Sequence, residues 1–251
     1  MALPTPIDRA DLDFDNGSFD SAAFAAQALG SWQALAAVID HTLLKPDATR
    51  EHIESLCNEA LHYRFACAMV NPVWASTAVG MLSGTGVPVG VVIGFPLGAS
   101  LVSTLRQEAA ALSRLGAREL DMVIPIGQLK SGNHHAVHHT VHAAVTVAHH
   151  HGALLKVILE TALLSMEEKL RGAEIAIQAG ADFIETSTGF ASGGATPADV
   201  ALMRGVAGGR CGVKASDGIR TLADVRALLE AGANRIGTSA SVSIMRELGA
   251  E

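Results

Sequence analysis

The sequence is short of the features that mark several classes of protein. Among its 251 residues there are three cysteines and one tyrosine, and only 17% of the residues are charged. Lys and Arg number 18 against 25 Asp and Glu, which gives a net charge of −7. A nucleic-acid-binding protein needs basic clusters that neutralise phosphates, so this balance argues against one.

Membrane and export signals are also missing. No apolar run approaches the roughly 18 residues of a membrane span. The first twenty residues, MALPTPIDRADLDFDNGSFD, are acidic and lack the basic and apolar regions of a signal peptide. Cys57, Cys67 and Cys211 lack metal-ligand spacing. We therefore expect a cytoplasmic protein with free thiols, no membrane contact and no metal.

What is present is an alternation of short β-branched runs with longer amphipathic segments. Apolar residues make up 49% of the chain, enough for a substantial core. The segments between the runs carry apolar residues at helical spacing. The predicted strands span residues 37–43, 65–70, 88–95, 119–126, 154–160, 182–186, 211–215 and 234–239.

Eight strands separated by helices predict a single (β/α)8 TIM barrel over residues 37–251. A doubly wound open sheet is the structural alternative, but no GxGxxG follows the first strand and a dinucleotide fold has no support. Residues 1–36 form an N-terminal extension, which we expect to be a helical cap. Alternatively, this segment forms a contact between the subunits of a homodimer.

Several ionisable residues lie within predicted strands, and five of them, on five different strands, are candidates for a site. In a barrel the carboxyl ends of the strands carry the chemistry, and charges inside it are costly unless they are paired. A structural ion-pair network is the alternative to an active site. The five candidates are Asp40, Asp121, Lys156, Glu185 and Lys214.

Seven segments together resemble the signature regions of deoxyribose-phosphate aldolase. They are DHTLLKPDAT, VIGFPLG, ELDMVIPIGQLKSG, LLKVILET, TSTGFASGGAT, GVKASDGIRT and RIGTS, and the likeness covers roughly residues 37–245. The resemblance implies a barrel enzyme without metal or cofactor that joins acetaldehyde to glyceraldehyde 3-phosphate through a lysine imine. It also implies a small carbonyl or sugar-phosphate substrate and a homodimer.

The resemblance assigns roles to individual positions. Asp121 matches the proton-handling aspartate, and Lys214 matches the second lysine, which lowers the pKa of the nucleophile. Lys156 and Asp40 match charged residues of the fifth and first strands. The imine-forming lysine belongs in the sixth strand, where this sequence has Glu185.

The phosphate-binding positions are kept only in part. Where the family pattern has two glycines after the seventh strand, this sequence has Asp217 and Gly218, and a carboxylate repels a phosphate dianion. The expected substrate- or phosphate-binding residues are Gly189, Gly193, Gly194, Gly218, Gly237 and Ser239.

Three interpretations of Glu185 follow. A diverged enzyme uses Glu185 and Asp121 in general acid/base chemistry on a small carbonyl compound, with help from Lys214 and Lys156, and this is the main prediction. Alternatively, the protein is a deoxyribose-phosphate aldolase inactivated by substitution at 185, or a non-catalytic binding protein. Because Glu185 should keep Lys214 protonated, we expect weak or absent retro-aldol activity.

A histidine-rich segment, residues 134–151, holds eight of the eleven histidines. Several of them are spaced i,i+4, which brings imidazoles together on one helix face. No HExxH motif accompanies them, and the segment follows the fourth strand on the outside of the predicted barrel. We expect a solvated helix face, with adventitious metal binding as the alternative.

Overall fold

The computed structural model describes residues 19–250, and within them eight parallel strands close into a barrel in sequence order. The predicted (β/α)8 barrel is therefore confirmed. The strands are β1 (Ile39–Leu43), β2 (Cys67–Val70), β3 (Val89–Ile93), β4 (Glu119–Val123), β5 (Leu154–Ile158), β6 (Phe183–Glu185), β7 (Gly212–Ser216) and β8 (Arg235–Thr238).

Helices surround the barrel on its outer side. They are α1 (Ser21–Ala28), α2 (Trp32–Ala36), α3 (Arg50–Tyr63), α4 (Ala75–Leu82), α5 (Val102–Leu115), α6 (Ile126–Lys130), α7 (His134–His150), α8 (Met166–Gln178), α9 (Pro197–Ala207), α10 (Leu222–Glu230) and α11 (Ser241–Glu247). Hydroxyl side chains begin several of them, and Ser165 and Thr221 form capping boxes. No helix in the described part of the chain is long and apolar enough to cross a membrane.

Alternation along each strand separates two environments. Outward-facing residues such as Val91, Leu120 and Val157 pack with the helices in one large apolar core. The residues between them point into the barrel, and many of those are charged. The fold therefore places its hydrophobic core between strands and helices and leaves the barrel interior for polar groups.

Most predicted strands were too long, and the third and fourth overran the observed strands by three residues each. The fourth strand ends at Val123 because Pro125 precedes α6, which begins at Ile126. The third strand ends at Ile93, directly before a turn at Gly94. Both corrections shorten the strand at its carboxyl end and lengthen the loops around the site.

The N-terminal extension is described only from residue 19. Within it, α1 packs on α10 and α2 packs on α11. Residues 1–18, which hold most of the acidic start of the predicted cap, lie outside the described residues, as does Glu251. The boundary at residue 36 and the capping role stay predictions.

Candidate active site

Seven charged side chains fill the interior of the barrel, and six of the eight strands supply them. Each is at most 4% exposed. Four are carboxylic acids and three are cations, and all belong to one network of ion pairs. They are Asp40 (β1), Glu119 and Asp121 (β4), Lys156 (β5), Glu185 (β6), Lys214 (β7) and Arg235 (β8).

Lys156 and Arg235 organise the deeper part of this network. Lys156 Nζ lies 2.5 Å from Glu119 Oε2, 2.8 Å from Asp121 Oδ1 and 3.2 Å from Asp40 Oδ2. Arg235 contacts Asp40 at 2.8 Å and Glu119 at 3.4 Å. Among these residues, only Asp121 also lines the open cavity. The others act on the site through their neighbours.

Lys214 connects the deeper part of the ion-pair network to the cavity. Its Nζ lies 2.5 Å from Asp121 Oδ2, 2.9 Å from Asp40 Oδ2 and 3.2 Å from Glu185 Oε1. A cavity of about 360 Å³ opens above it, and Asp121, Glu185 and Lys214 all line this cavity. Met69, a residue of β2, lines it as well. A small carbonyl compound fits this mixture of polar and apolar walls.

Counting charges identifies Glu185 as the surplus acid. Three cations stand against four carboxyl groups, so the cluster is neutral only when one carboxyl group is protonated. Burial, opposed by Lys214 and reinforced by Asp121, raises the pKa of Glu185 to about 8. In contrast, Lys156, Lys214 and Arg235 overcome burial and hold the pKa of Asp40 well below its usual range. The proton therefore resides on Glu185 near neutral pH.

Lys214 is held as an ammonium ion. Burial by itself would lower its pKa, but the charges of Asp121 and Asp40 raise the pKa well above its usual value, and Glu185 adds to this when it is ionised. The expectation that Lys214 stays protonated is supported, with Asp121 contributing more than Glu185. An ammonium ion has no lone pair, so it cannot attack a carbonyl carbon.

The predicted binding residues fall into two groups. Gly189, Gly218, Gly237 and Ser239 line the cavity, whereas Gly193 and Gly194 do not. At Gly237 an added Cβ would lie 2.9 Å from Lys214 Cε, so glycine leaves the space through which the lysine side chain passes. The cavity lining thus retains four of the six expected positions.

Several backbone donors at the start of the loop after β6 have partners inside the protein. The N–H of Thr186 donates to the Lys214 carbonyl oxygen at 3.1 Å, and that of Ser187 donates to Ser216 Oγ at 3.4 Å. The Thr188 N–H and hydroxyl both donate to the carboxylate of Glu160. The N–H groups used in this way belong to the hydroxyl residues that begin the loop, before its first glycine.

Sequence reasoning assigned no role to three charged residues. Glu119 and Arg235 belong to the buried network, and Glu160 holds the loop after β6. Strand periodicity carried the signal for the first two, because Glu119 lies two positions before inward-facing Asp121 and Arg235 lies two before Gly237. Glu160 ends the fifth predicted strand, but its φ is +58°, so the direction of its side chain does not follow from strand alternation.

One group of side chains in the described part of the chain has the spacing of a metal site, with donor atoms of Asp40, Cys67 and Glu119 within 4.8 Å of one another. Lys156 and Arg235 already bind the two carboxylates. Burial, followed by Glu119 and Asp40, raises the pKa of the Cys67 thiol, which disfavours the thiolate that a metal requires. This arrangement does not suit a metal ion.

Residues 34–246 match the profile described as DeoC/LacD family aldolase, and the chain belongs to this family of carbon–carbon lyases. A deoxyribose-phosphate aldolase from Geobacillus sp. (strain WCH70) is 52% identical over 211 residues, which cover 84% of this chain and 94% of that protein. A second one, from Caldanaerobacter subterraneus subsp. tengcongensis, is 51% identical over 214 residues and covers 85% and 93%. The resemblance drawn from the sequence is confirmed.

Solved structures agree with this assignment. The deoxyribose phosphate aldolase from Aeropyrum pernix superposes with a TM-score of 0.84 at 37% identity, over 91% of this chain and 96% of that one. That protein is described as a tetramer with a unique arrangement. Its likeness extends over the whole barrel, so the site described above occupies the family's own scaffold.

Proposed function

We propose that this chain carries a deoxyribose-phosphate-aldolase pocket that binds a short 2-deoxy sugar but does not cleave it through an imine. The relatives named above are deoxyribose-phosphate aldolases, which supplies the substrate class. The observation that carries the proposal is the position of Lys214, whose Nζ contacts three carboxyl groups and is thereby favoured as an ammonium ion. The floor of the cavity therefore lacks a neutral amine.

Glu185→Lys should restore the missing amine. The substitution changes the charge balance from four acids and three cations to three acids and four cations. The surplus group is then a buried lysine beside Lys214, and both burial and a neighbouring cation lower the pKa of a lysine. We expect this lysine to be neutral near pH 7 and able to attack an aldehyde.

The neutral amine of the Glu185→Lys variant would allow retro-aldol cleavage of the sugar. The amine adds to the aldehyde carbon, and loss of water gives an iminium ion. The carbon–carbon bond then breaks, its electrons pass into an enamine, and the hydroxyl proton leaves. Asp121, paired with Lys214 at 2.5 Å, lies at the cavity floor and can relay that proton. The second fragment leaves as an aldehyde, the relayed proton adds to the enamine carbon, and hydrolysis of the resulting iminium ion releases acetaldehyde and regenerates the amine.

The test compares the parent chain with Glu185→Lys, and Glu185→Gln serves as the matched control. Release of acetaldehyde from 2-deoxyribose 5-phosphate and from 2-deoxyribose is followed by coupled reduction. We expect cleavage by Glu185→Lys alone. Cleavage by the parent chain would contradict the proposal, as would an inactive but folded Glu185→Lys variant.

A second candidate function rests on the raised pKa of Glu185, about 8. A carboxylic acid with that pKa can donate and accept a proton near neutral pH, so general acid/base enolisation of a bound carbonyl compound is available to this pocket. Deuterium uptake at the methyl group of acetaldehyde, followed by NMR, tests it. Faster uptake with the parent than with Glu185→Gln would favour this candidate, and equal rates would remove it.

Cellular location and assembly belong to the same proposal. The three cysteines are unpaired and buried, which suits a reducing cytoplasm. We expect a homodimer, and light scattering during gel filtration measures the assembly directly. A monomer or a tetramer would contradict the dimer.

A further inference from the structure

Asp217 introduces a carboxylate at one end of the cavity. It directly follows β7, lines the cavity and is half-buried. Its backbone has φ of +66°, in the left-handed region that side chains other than Asn, Asp and Gly seldom adopt.

The carboxylate of Asp217 lies against the loop after β6. A Cβ atom added to Gly194 would lie 2.9 Å from Asp217 Oδ2, and one added to Gly189 would lie 3.5 Å from Oδ1. The side chain therefore lies beside both glycines, and of the two Gly189 lines the cavity. An anionic ligand group cannot occupy this position together with the carboxylate.

A second acid strengthens the negative potential here. The buried carboxylate of Glu160 accepts hydrogen bonds from Thr188, the residue before Gly189. Burial raises the pKa of Glu160, and the charge of Asp217 raises it further, so the two acids interact electrostatically. Two acids thus flank the one loop.

Two cations, Lys45 and Arg220, also line the cavity. Both are exposed, so solvent and salt screen their attraction for an anion. Asp217 is half-buried and its repulsion is screened less. The position nearest Gly189 therefore disfavours a dianion and suits a donor such as a hydroxyl group, which can donate to a carboxylate.

We infer that Asp217 is a specificity-determining residue that makes this pocket select an unphosphorylated 2-deoxy sugar, whose terminal hydroxyl donates to the carboxylate, over its phosphate ester. This inference rests on the proposed function, because it concerns the far end of the same pocket. Even at the dielectric constant of water, one charge about 6 Å from a dianion weakens binding roughly tenfold.

Binding can be measured without catalysis. Isothermal titration calorimetry compares 2-deoxyribose with 2-deoxyribose 5-phosphate on the parent chain, Asp217→Asn and Asp217→Gly. Asp217→Asn removes the charge and keeps the shape and the acceptor oxygen. Glu230→Gln, at the exposed end of α10, makes the same change in net charge away from the cavity and serves as the matched control.

We expect the parent chain to bind 2-deoxyribose more tightly than the phosphate ester. Asp217→Asn should strengthen binding of the ester by about tenfold or more and change binding of 2-deoxyribose by less than about twofold. Asp217→Gly should strengthen binding of the ester by at least the same factor. Glu230→Gln should bind both ligands as tightly as the parent does.

Two results would overturn the inference in distinguishable ways. Tighter binding of the phosphate ester by the parent, unchanged in Asp217→Asn, would refute the role of Asp217 while leaving the pocket assignment intact. Failure of the parent and of both Asp217 variants to bind either ligand would refute the proposed function and this inference together.

Discussion

Replacing Glu185 with Gln should make the protein more stable at alkaline pH and leave its stability nearly unchanged at acid pH. Glutamine keeps the size and polarity of a protonated glutamic acid but cannot ionise. The pKa of Glu185 rises from an ordinary 4.5 to about 8 in the folded chain, chiefly because of burial. The folded protein therefore holds this proton more tightly than the unfolded chain does between those two pH values.

The size of the effect follows from that difference in pKa. Ionising Glu185 in the folded state costs on the order of 4–5 kcal/mol more than in the unfolded chain, since each pKa unit corresponds to about 1.4 kcal/mol. Stability falls with pH wherever the folded state binds more protons. The free energy of unfolding of the parent should thus decrease from about pH 4.5 to pH 8, whereas that of Glu185→Gln lacks this decrease.

Urea denaturation followed by circular dichroism, at intervals from pH 5 to pH 9, measures the difference between the two proteins. Asp40 and Asp121 have lowered pKa values, so their contribution is lost only as pH falls through the acid range, and it is common to both proteins. We expect the free energy of unfolding of Glu185→Gln to exceed that of the parent by a gap that grows with pH and reaches several kcal/mol above pH 8. A gap that is independent of pH, or one that closes as pH rises, would refute the charge count in the barrel.

Three further predictions concern the network, the space around it and the outer surface. Lys156→Met should lower the free energy of unfolding by about 3–5 kcal/mol, because it leaves three buried carboxyl groups without their shared cation, and urea titration measures it. Gly237→Ala should abolish cleavage in the Glu185→Lys background, since its methyl group would displace Lys214, and the acetaldehyde assay would show this. The rings of His138 and His142 are stacked 5.8 Å apart on α7, so nickel should bind there and be lost in H138A/H142A without a change in sugar binding, as calorimetry would report.

Much of the barrel could be predicted from the sequence because its signals are local. Parallel strands buried on both faces read as short apolar runs, and amphipathic helices separate them. The ends of the strands were less predictable. Val123 is followed by further apolar residues, and only Pro125 and the short helix after it end the strand.

The candidate site was predictable where a charge stood alone in an apolar run. Asp121, Lys156 and Lys214 interrupt such runs and proved to form one network. Their mutual distances, and the surplus acid that they create, depend on closure of the barrel and could not be read from single strands. Glu119 and Arg235 lie at the first positions of their strands, where a charge is also compatible with an exposed strand end.

The orientation of Asp217 could not be predicted either. The sequence identified its charge, but the left-handed backbone that turns the carboxylate toward Gly189 and Gly194 depends on contacts between two neighbouring loops. All three glycines of this loop were expected to bind the substrate, but only Gly189 lines the cavity, whereas Gly193 and Gly194 do not. Spacing within a glycine-rich segment does not tell which N–H groups face the cavity and which are used inside the protein.

The central claim is that glutamic acid at position 185 leaves the pocket without a neutral amine. Reductive trapping tests this claim most directly. The parent chain and Glu185→Lys are each incubated with acetaldehyde and borohydride at neutral pH, and peptide mass mapping locates any ethyl adduct. We expect an adduct on residue 185 of the Glu185→Lys variant and none on Lys214 of the parent. An adduct on Lys214 of the parent would show that the original pocket holds a neutral amine and would refute the proposed function.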